Sequence, residues 1–452
     1  MTELTKNEIH TVAVEGYSSA GEGVARVGGR AVFIKGALRD EVCEIKILKA
    51  DKTAVFARAE QILTPSPHRT APACPHYGKC GGCDFLHTDY AEELFYKRQR
   101  VSDALRRIGG LDAAVDEIVP APELAGYRNK VIFEVARADG KTVTGFYRPR
   151  SHDIIPVESC MIQAEVSARA AAAVRGWMDV CGVTAYSGKS RTGLVRHVFC
   201  RAASGTGQVQ AALVTAERRV PAREKLVAAL RERCPEITSI ARIVNKTHGN
   251  TALTGEISAL WGDDSVTDEL CGLKFKLSPR SFEQVNRAQA VALYGRVAEF
   301  AALTKADTAL DLYCGVGTIT LALAQAAGRV IGAELVPDAV ADAKSNAEIN
   351  GVTNAEFMLA DALDAAKTLE QSGVKPAAVI VDPPRKGLTP EVIDAVSAMS
   401  PERVVYVSCD PATLARDLKL FSARGYVTSR VTPFDMFPRC AHVECAALLT
   451  RA

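Results

Sequence analysis

Asp311-Leu-Tyr-Cys-Gly-Val-Gly-Thr318 decides how the last third of the chain folds. Residues 308–313 form an apolar run that reads as a strand, and 319–327 read as a helix. The glycines between them permit a tight turn and let backbone approach a ligand closely. Outward from this junction, residues 329–334, 355–360, 377–381 and 403–408 are further apolar runs separated by helical segments. That alternation predicts a doubly wound, Rossmann-like α/β sheet. Two closing apolar segments, 425–431 and 442–450, are expected to pair antiparallel.

The junction also narrows the ligand. Glu334 lies at the tip of the second strand, where a carboxylate accepts from both ribose hydroxyls. A dinucleotide fingerprint needs a third glycine, but position 320 is Thr. An adenosine without a pyrophosphate is therefore preferred, which points to S-adenosylmethionine. Asp382-Pro-Pro-Arg-Lys-Gly387 follows the fourth strand, and its prolines stiffen the loop that carries the Asp382 carboxylate. Arg385 stands where amine methyltransferases often carry an aromatic residue.

Val407-Ser-Cys-Asp-Pro411 places Cys409 at the same sheet edge. Carbon 5 of a pyrimidine is too weak a nucleophile to take a methyl group unaided. A thiolate adding at carbon 6 loads electron density onto carbon 5, and a base must later remove the carbon-5 proton so that the thiol can leave. Phe437-Pro-Arg-Cys-Ala-His-Val-Glu444 offers Glu444 as that base. A buried, inert thiol is the plainer reading of Cys409. Cys314, Cys440 and Cys445 are assigned to structure.

The rest of the 452-residue chain is ordinary in composition, with 48% apolar and 24% charged residues, which excludes disorder and a small disulfide scaffold. Its net charge of +2 does not advertise nucleic acid, so any such contact must be local. The first ten residues read as no export signal, and no apolar run is long enough to span a membrane. Thirteen cysteines are therefore expected as thiols, ligands or nucleophiles in a cytoplasmic protein.

Residues 10–63 read as five short strands of a small, oligonucleotide-binding-like β-barrel, with a purely stabilising module as the alternative. Cys74-Pro-His-Tyr-Gly-Lys-Cys80-Gly-Gly-Cys83 implies soft-metal ligation, the spacing leaving zinc and iron–sulfur both open. A helix over 90–108, with Leu94, Val101, Leu105 and Ile108 on one face, carries Lys97, Arg98, Arg100, Arg106 and Arg107. Solvated face and RNA contact weigh equally for it. The same balance holds for 126–150, with Tyr127, Phe146 and Tyr147 among its basic residues, and for 186–201, which has Lys189, Arg191, Arg196 and Arg201 and no acid.

Together these motifs, with Phe282-Glu-Gln-Val-Asn286 and Ser408-Cys-Asp-Pro-Ala-Thr-Leu-Ala-Arg-Asp417, resemble the RNA uracil-5-methyltransferase family over nearly the whole chain. The resemblance implies Cys409 as nucleophile, Glu444 as base, and Gln284, Tyr313, Glu334 and Asp382 as contacts to methyl donor or substrate. It implies Cys160 as fourth ligand beside Cys74, Cys80 and Cys83, and a [4Fe-4S] cluster rather than zinc. Residues 10–63 resemble the RNA-binding TRAM module of the ribosomal branch. Thr318 and Cys440 depart from the family pattern, where Asn and Thr are common.

The expected architecture is thus multi-domain: a TRAM β-barrel over 1–65, a central α+β domain over 66–272 with the Cys-ligated cluster, and a class I methyltransferase domain over 273–452, on which the 90–108 helix packs. The expected function is S-adenosylmethionine-dependent methylation of uridine carbon 5 in RNA, 23S rRNA first, by a monomer away from membranes. A tRNA 5-methyluridine methyltransferase and a non-enzymatic RNA-binding protein are the alternatives.

Overall fold

The computed structural model describes residues 4–247 and 251–452; residues 1–3, inside the expected first domain, lie outside the described part. In the C-terminal part, five parallel strands run Thr308–Leu312, Arg329–Glu334, Ala355–Leu359, Ala378–Val381 and Arg403–Ser408. Tyr426–Phe434 and Glu444–Arg451 complete a seven-stranded sheet as an antiparallel pair, with the last strand inserted beside Arg403–Ser408. Alternate residues bury on opposite faces. Leu310, Leu312, Val379 and Tyr406 enter one core, while Ala309, Ile380, Val405 and Val407 enter the other. Two covered faces explain why these strands read as unbroken apolar runs.

Residues before this sheet fold around two larger sheets and an antiparallel strand pair, Val266–Leu270 with Leu273–Leu277. The N-terminal segment forms a six-stranded sheet, one strand more than expected because Gly16–Tyr17 pairs briefly with the strand Gly23–Val27. A second seven-stranded sheet spans Lys130–Gly262, and the helices Glu165–Val180 and Arg223–Arg233 cover one of its faces. On the other face Arg201 is fully buried, donating to the carbonyls of Ser278 at 2.6 Å and Ser281 at 2.5 Å. It therefore ties this sheet to the segment leading into the C-terminal part and is not an RNA contact. Tyr127 and Phe146 are likewise packing residues, while Tyr147 stays exposed.

The basic helix departs most from its sequence reading. It runs Tyr90–Ala104 and continues as a π turn over Leu105–Gly109, packing Val101 and Leu105 into the core of the C-terminal sheet. Ile108, expected on that face, stays exposed. Lys97 is neither solvated nor free to meet RNA. Its ammonium is wholly buried, 2.7 Å from Glu93 and 2.5 Å from Asp435. Arg100 is committed too, donating to the Ala441 carbonyl at 2.6 Å.

Candidate active site

The site lies outside the carboxyl ends of the parallel strands, where such sheets bind ligands. At the first strand the chain turns through left-handed conformations at Tyr313, Gly315 and Gly317, with φ of 71°, 56° and 85°. A Cβ at Gly317 would come within 3.2 Å of Ala343 and the Phe357 ring, so this turn also needs glycine for space. The turn presents the Gly315 amide to one Glu334 oxygen at 3.1 Å, and the Val336 amide holds the other at 2.9 Å. Glu334 is thus fixed before any ligand arrives. Thr320 also has a local role, because its hydroxyl donates to buried Asp311 at 2.6 Å. Burial pushes the Asp311 carboxyl up to about 7, against that hydrogen bond.

Cys409 and Glu444 stand at adjoining ends of two paired strands. The antiparallel ladder ends where Ser408 lies opposite Cys445, so Cys409 is the first residue past one strand and Glu444 the first residue of its neighbour. Both side chains line one cavity, and Glu444 is near enough to act on the thiol electrostatically. Asp410 then caps the helix Pro411–Ser422, accepting from the amides of Ala412 and Thr413 at 2.9 and 3.0 Å. The thiol therefore sits between a strand end and a fixed helix start. Burial pushes it up to about 11, the Glu444 carboxylate adds to this, and Arg385 opposes it. Glu444 is 2% exposed; burial first and Asp382 second raise its carboxyl well above the ordinary range, with Arg385 again opposing. A carboxylate held this way binds a proton more tightly than a solvated one does.

A cavity of about 870 Å³ opens over these groups, and all six sequence-derived candidates line it: Cys409, Glu444, Gln284, Tyr313, Glu334 and Asp382. Arg385, Phe437 and His442 line it as well and were not expected there. The Asp-Pro-Pro-Arg quartet was the available signal for Arg385, since a cation next to the proline pair must project from the same loop. The size suits an adenosyl donor together with a nucleobase. Phe282 stands 64% exposed at its edge, with the Lys130 ammonium 5.3 Å from the ring centre.

The segment carrying Glu444 is held from outside the sheet. Glu93 accepts from the Arg439 amide at 2.6 Å, Lys97 donates to the Phe437 carbonyl at 3.0 Å, and Tyr127 donates to the Pro438 carbonyl at 2.9 Å. The cysteine-rich loop joins in: the Asp84 amide donates to the Arg439 carbonyl at 2.8 Å, and the Asp84 carboxylate accepts from the Ala441 amide at the same distance. Cys440 is buried against this loop, its thiol donating to the Gly82 carbonyl at 3.1 Å and meeting Cys83. It belongs to the cysteine neighbourhood, not to the sheet core.

Cys74, Cys80, Cys83 and Cys160 are each half-buried. Burial raises the Cys160 thiol, and Cys80 and Cys74 lie near enough to add to that effect. Cys83 is raised by its hydrogen bond with Cys440, by burial, and by Cys160 and Cys80. Among the described residues, no three cysteine, histidine or carboxylate side chains converge closely enough to enclose an ion. The four thiols share a neighbourhood with a sulfur-only donor set, which fits a soft-metal group in kind.

Comparisons with known proteins agree with this geometry. Residues 263–452 match the tRNA (uracil-5-)-methyltransferase family, and residues 3–59 match the TRAM domain. A Clostridium tetani protein named as an uncharacterized RNA methyltransferase is 40% identical over 447 residues, 99% of this chain and 97% of its own. A Bacillus cereus protein of the same description is 40% identical over 449 residues, 99% of this chain and 98% of its own. The crystal structure of Pyrococcus abyssi tRNA (uracil-54, C5)-methyltransferase with S-adenosyl-L-homocysteine superposes with a TM-score of 0.77 at 27% identity, covering 98% of this chain and all of that one. Relatives that span both chains almost end to end, and a family match reaching from the strand pair before Phe282 to the C-terminus, place this chain in the RNA uracil-5-methyltransferase family.

Proposed function

We propose that the protein methylates carbon 5 of a uridine in 23S rRNA, with Cys409 as nucleophile and Glu444 as base. The observation that carries this reading is that both residues, at adjoining ends of two paired strands, line one cavity. S-adenosylmethionine, when bound, supplies an electrophilic methyl group. Glu334, with its two backbone donors in place, is positioned to accept from the ribose hydroxyls, and Gln284, Tyr313 and Asp382 complete the donor and substrate contacts. Arg385 favours the thiolate form of Cys409. Cys409 sulfur adds to carbon 6 of the uracil, and carbon 5 takes the methyl group as its bond to the donor sulfonium breaks and S-adenosylhomocysteine leaves; Glu444 then removes the carbon-5 proton, and the Cys409 thiolate leaves as the ring double bond returns. Reaching the ring requires unstacking the uridine, at about a few kcal/mol.

Cys74, Cys80, Cys83 and Cys160 would hold a [4Fe-4S] cluster, with zinc as the alternative occupant. Support comes from their common neighbourhood and from the hydrogen bonds that join the same loop to the segment before Glu444. Anaerobic purification with iron, sulfide and zinc analysis tests this; zinc alone would replace the cluster. The setting of the reaction is the cytoplasm, where ribosomal RNA is, and a monomer suffices because one chain lines the whole cavity.

The ribosomal substrate rests on the N-terminal module and the cysteine set. One observation favours tRNA instead: the solved neighbour, named for uridine 54 of tRNA, covers 98% of this chain, N-terminal module included. Tritium release from RNA labelled at uridine carbon 5 tests the reaction. Mapping 5-methyluridine in 23S rRNA and tRNA from cells with and without the gene tests the substrate.

A further inference from the structure

The basic stretch 186–201 is divided by the fold. Arg201 is internal, while the residues at its other end build a hollow of about 400 Å³ lined by Tyr186, Arg191, Arg196, Asn245 and Lys246, with Glu217 as its one acid. The hollow is preorganised. Arg196 lies over the Tyr186 ring at 4.6 Å and donates to the carbonyls of Asn245 at 2.9 Å and Thr247 at 2.7 Å. A tight hairpin fixes the opposite wall, the Ser187 amide donating to Thr192 and the Arg191 amide to Ser187. Arg191 is held at φ 58°, and a Cβ at Gly193 would come within 2.1 Å of the Ala185 carbonyl. Arg191 and Lys246 are exposed and have no carboxylate partner among the described residues.

This hollow is joined to the active-site cavity by one face of the central sheet. Lys130, over Phe282 at the cavity edge, lies opposite Arg201, and Glu134 lies opposite His197, one residue from Arg196. Five residues of strand separate the two ends, roughly 17 Å at the usual rise. Lys130, Ile132, Glu134 and His197 are half-buried along the way.

We propose that this hollow is a second RNA contact, in which Arg191, Arg196 and Lys246 take backbone phosphate oxygens of a strand flanking the target uridine. The proposal rests on the RNA-methylation reading. Unpaired cations around a concave floor beside an aromatic wall are the pattern with which single strands are gripped. An acid-poor rim with guanidinium already oriented lowers the ordering cost of binding.

The test uses the full-length protein and a 23S rRNA transcript that the wild type methylates. Arg191→Glu/Lys246→Glu is expected to raise KM for the transcript about ten-fold with kcat unchanged. The slope of log affinity against log salt should become shallower by about 2, one per phosphate contact removed. S-adenosylhomocysteine binding, measured by calorimetry, should equal wild type, which establishes that the variant is folded. Arg191→Ala and Lys246→Ala singly should each give part of the effect. An unchanged KM and salt slope in a folded double variant, with wild-type methylation intact, would overturn the second contact alone. Wild-type protein that methylates neither rRNA nor tRNA would overturn the underlying reading instead.

Discussion

Lys97 and Asp435 meet at 2.5 Å with neither side chain exposed, although 338 residues separate them in sequence. Glu93 closes the other side of the ammonium at 2.7 Å and also accepts from the Arg439 amide. Tyr90 donates to the second Asp435 oxygen at 2.7 Å. A helix from the region before the central sheet thereby clamps the segment that leads into Glu444.

Removing the cation leaves two buried carboxylates facing each other. Lys97→Met is expected to cost about 3–5 kcal/mol of stability, the usual loss when one partner of a buried pair is deleted. Urea denaturation measures it. At temperatures where the variant remains folded, kcat should fall more than donor affinity, because the clamp holds the segment before Glu444 and not the Glu334 turn.

Cys409→Ala should abolish methylation and leave S-adenosylhomocysteine affinity within about two-fold of wild type, since the donor side of the cavity is built by other strands. Calorimetry and tritium release check the two halves. Loss of donor binding in a folded variant would remove Cys409 from the role of nucleophile.

Glu444→Gln keeps shape and removes the group proposed as the base. Methyl transfer should proceed and elimination stall, so that a protein–RNA adduct survives denaturing electrophoresis. Wild-type turnover by this variant would exclude Glu444 as the base.

The pH profile should expose Arg385. The Cys409 thiol, raised to about 11, is mostly protonated at neutral pH, so kcat/KM with RNA should increase as pH rises toward that value. Arg385 is the cation that opposes the shift. Arg385→Ala should move the rise to higher pH and lower kcat/KM at pH 7, and a profile identical to wild type would show that Arg385 does not tune the thiol.

Asp311 gives a stability prediction. Its folded carboxyl titrates near 7, while the unfolded chain releases that proton near 3.8. Between those values the folded state holds the extra proton, so this group's contribution falls as pH rises from about 4 to 7, by at most about 4 kcal/mol. Asp311→Asn should flatten that part of the stability–pH curve, as followed by denaturant midpoints at each pH.

Local pattern alone determined a good deal. Periodicity and glycine placement were enough for the doubly wound sheet and for the tight turn at Asp311–Thr318, because strand, turn and helix there are consecutive. The chemistry of a pyrimidine methylation singled out Cys409 and Glu444, and both line the cavity. Family resemblance, not spacing, added Gln284, Tyr313 and Cys160.

What tertiary structure decided is where each charge and thiol stands. Lys97 and Arg201 sit in basic stretches that look solvated, and both are buried because their partners come from distant segments. Cys440 looked like core filler until the cysteine loop folded over it. Cys409 and Glu444 share one cavity only because the last strand enters the sheet antiparallel beside Arg403–Ser408, in one register out of many. Hydrophobic periodicity is a property of one segment at a time; the cost of burying a charge, and the partner that offsets it, belong to pairs of segments that meet only in the folded chain.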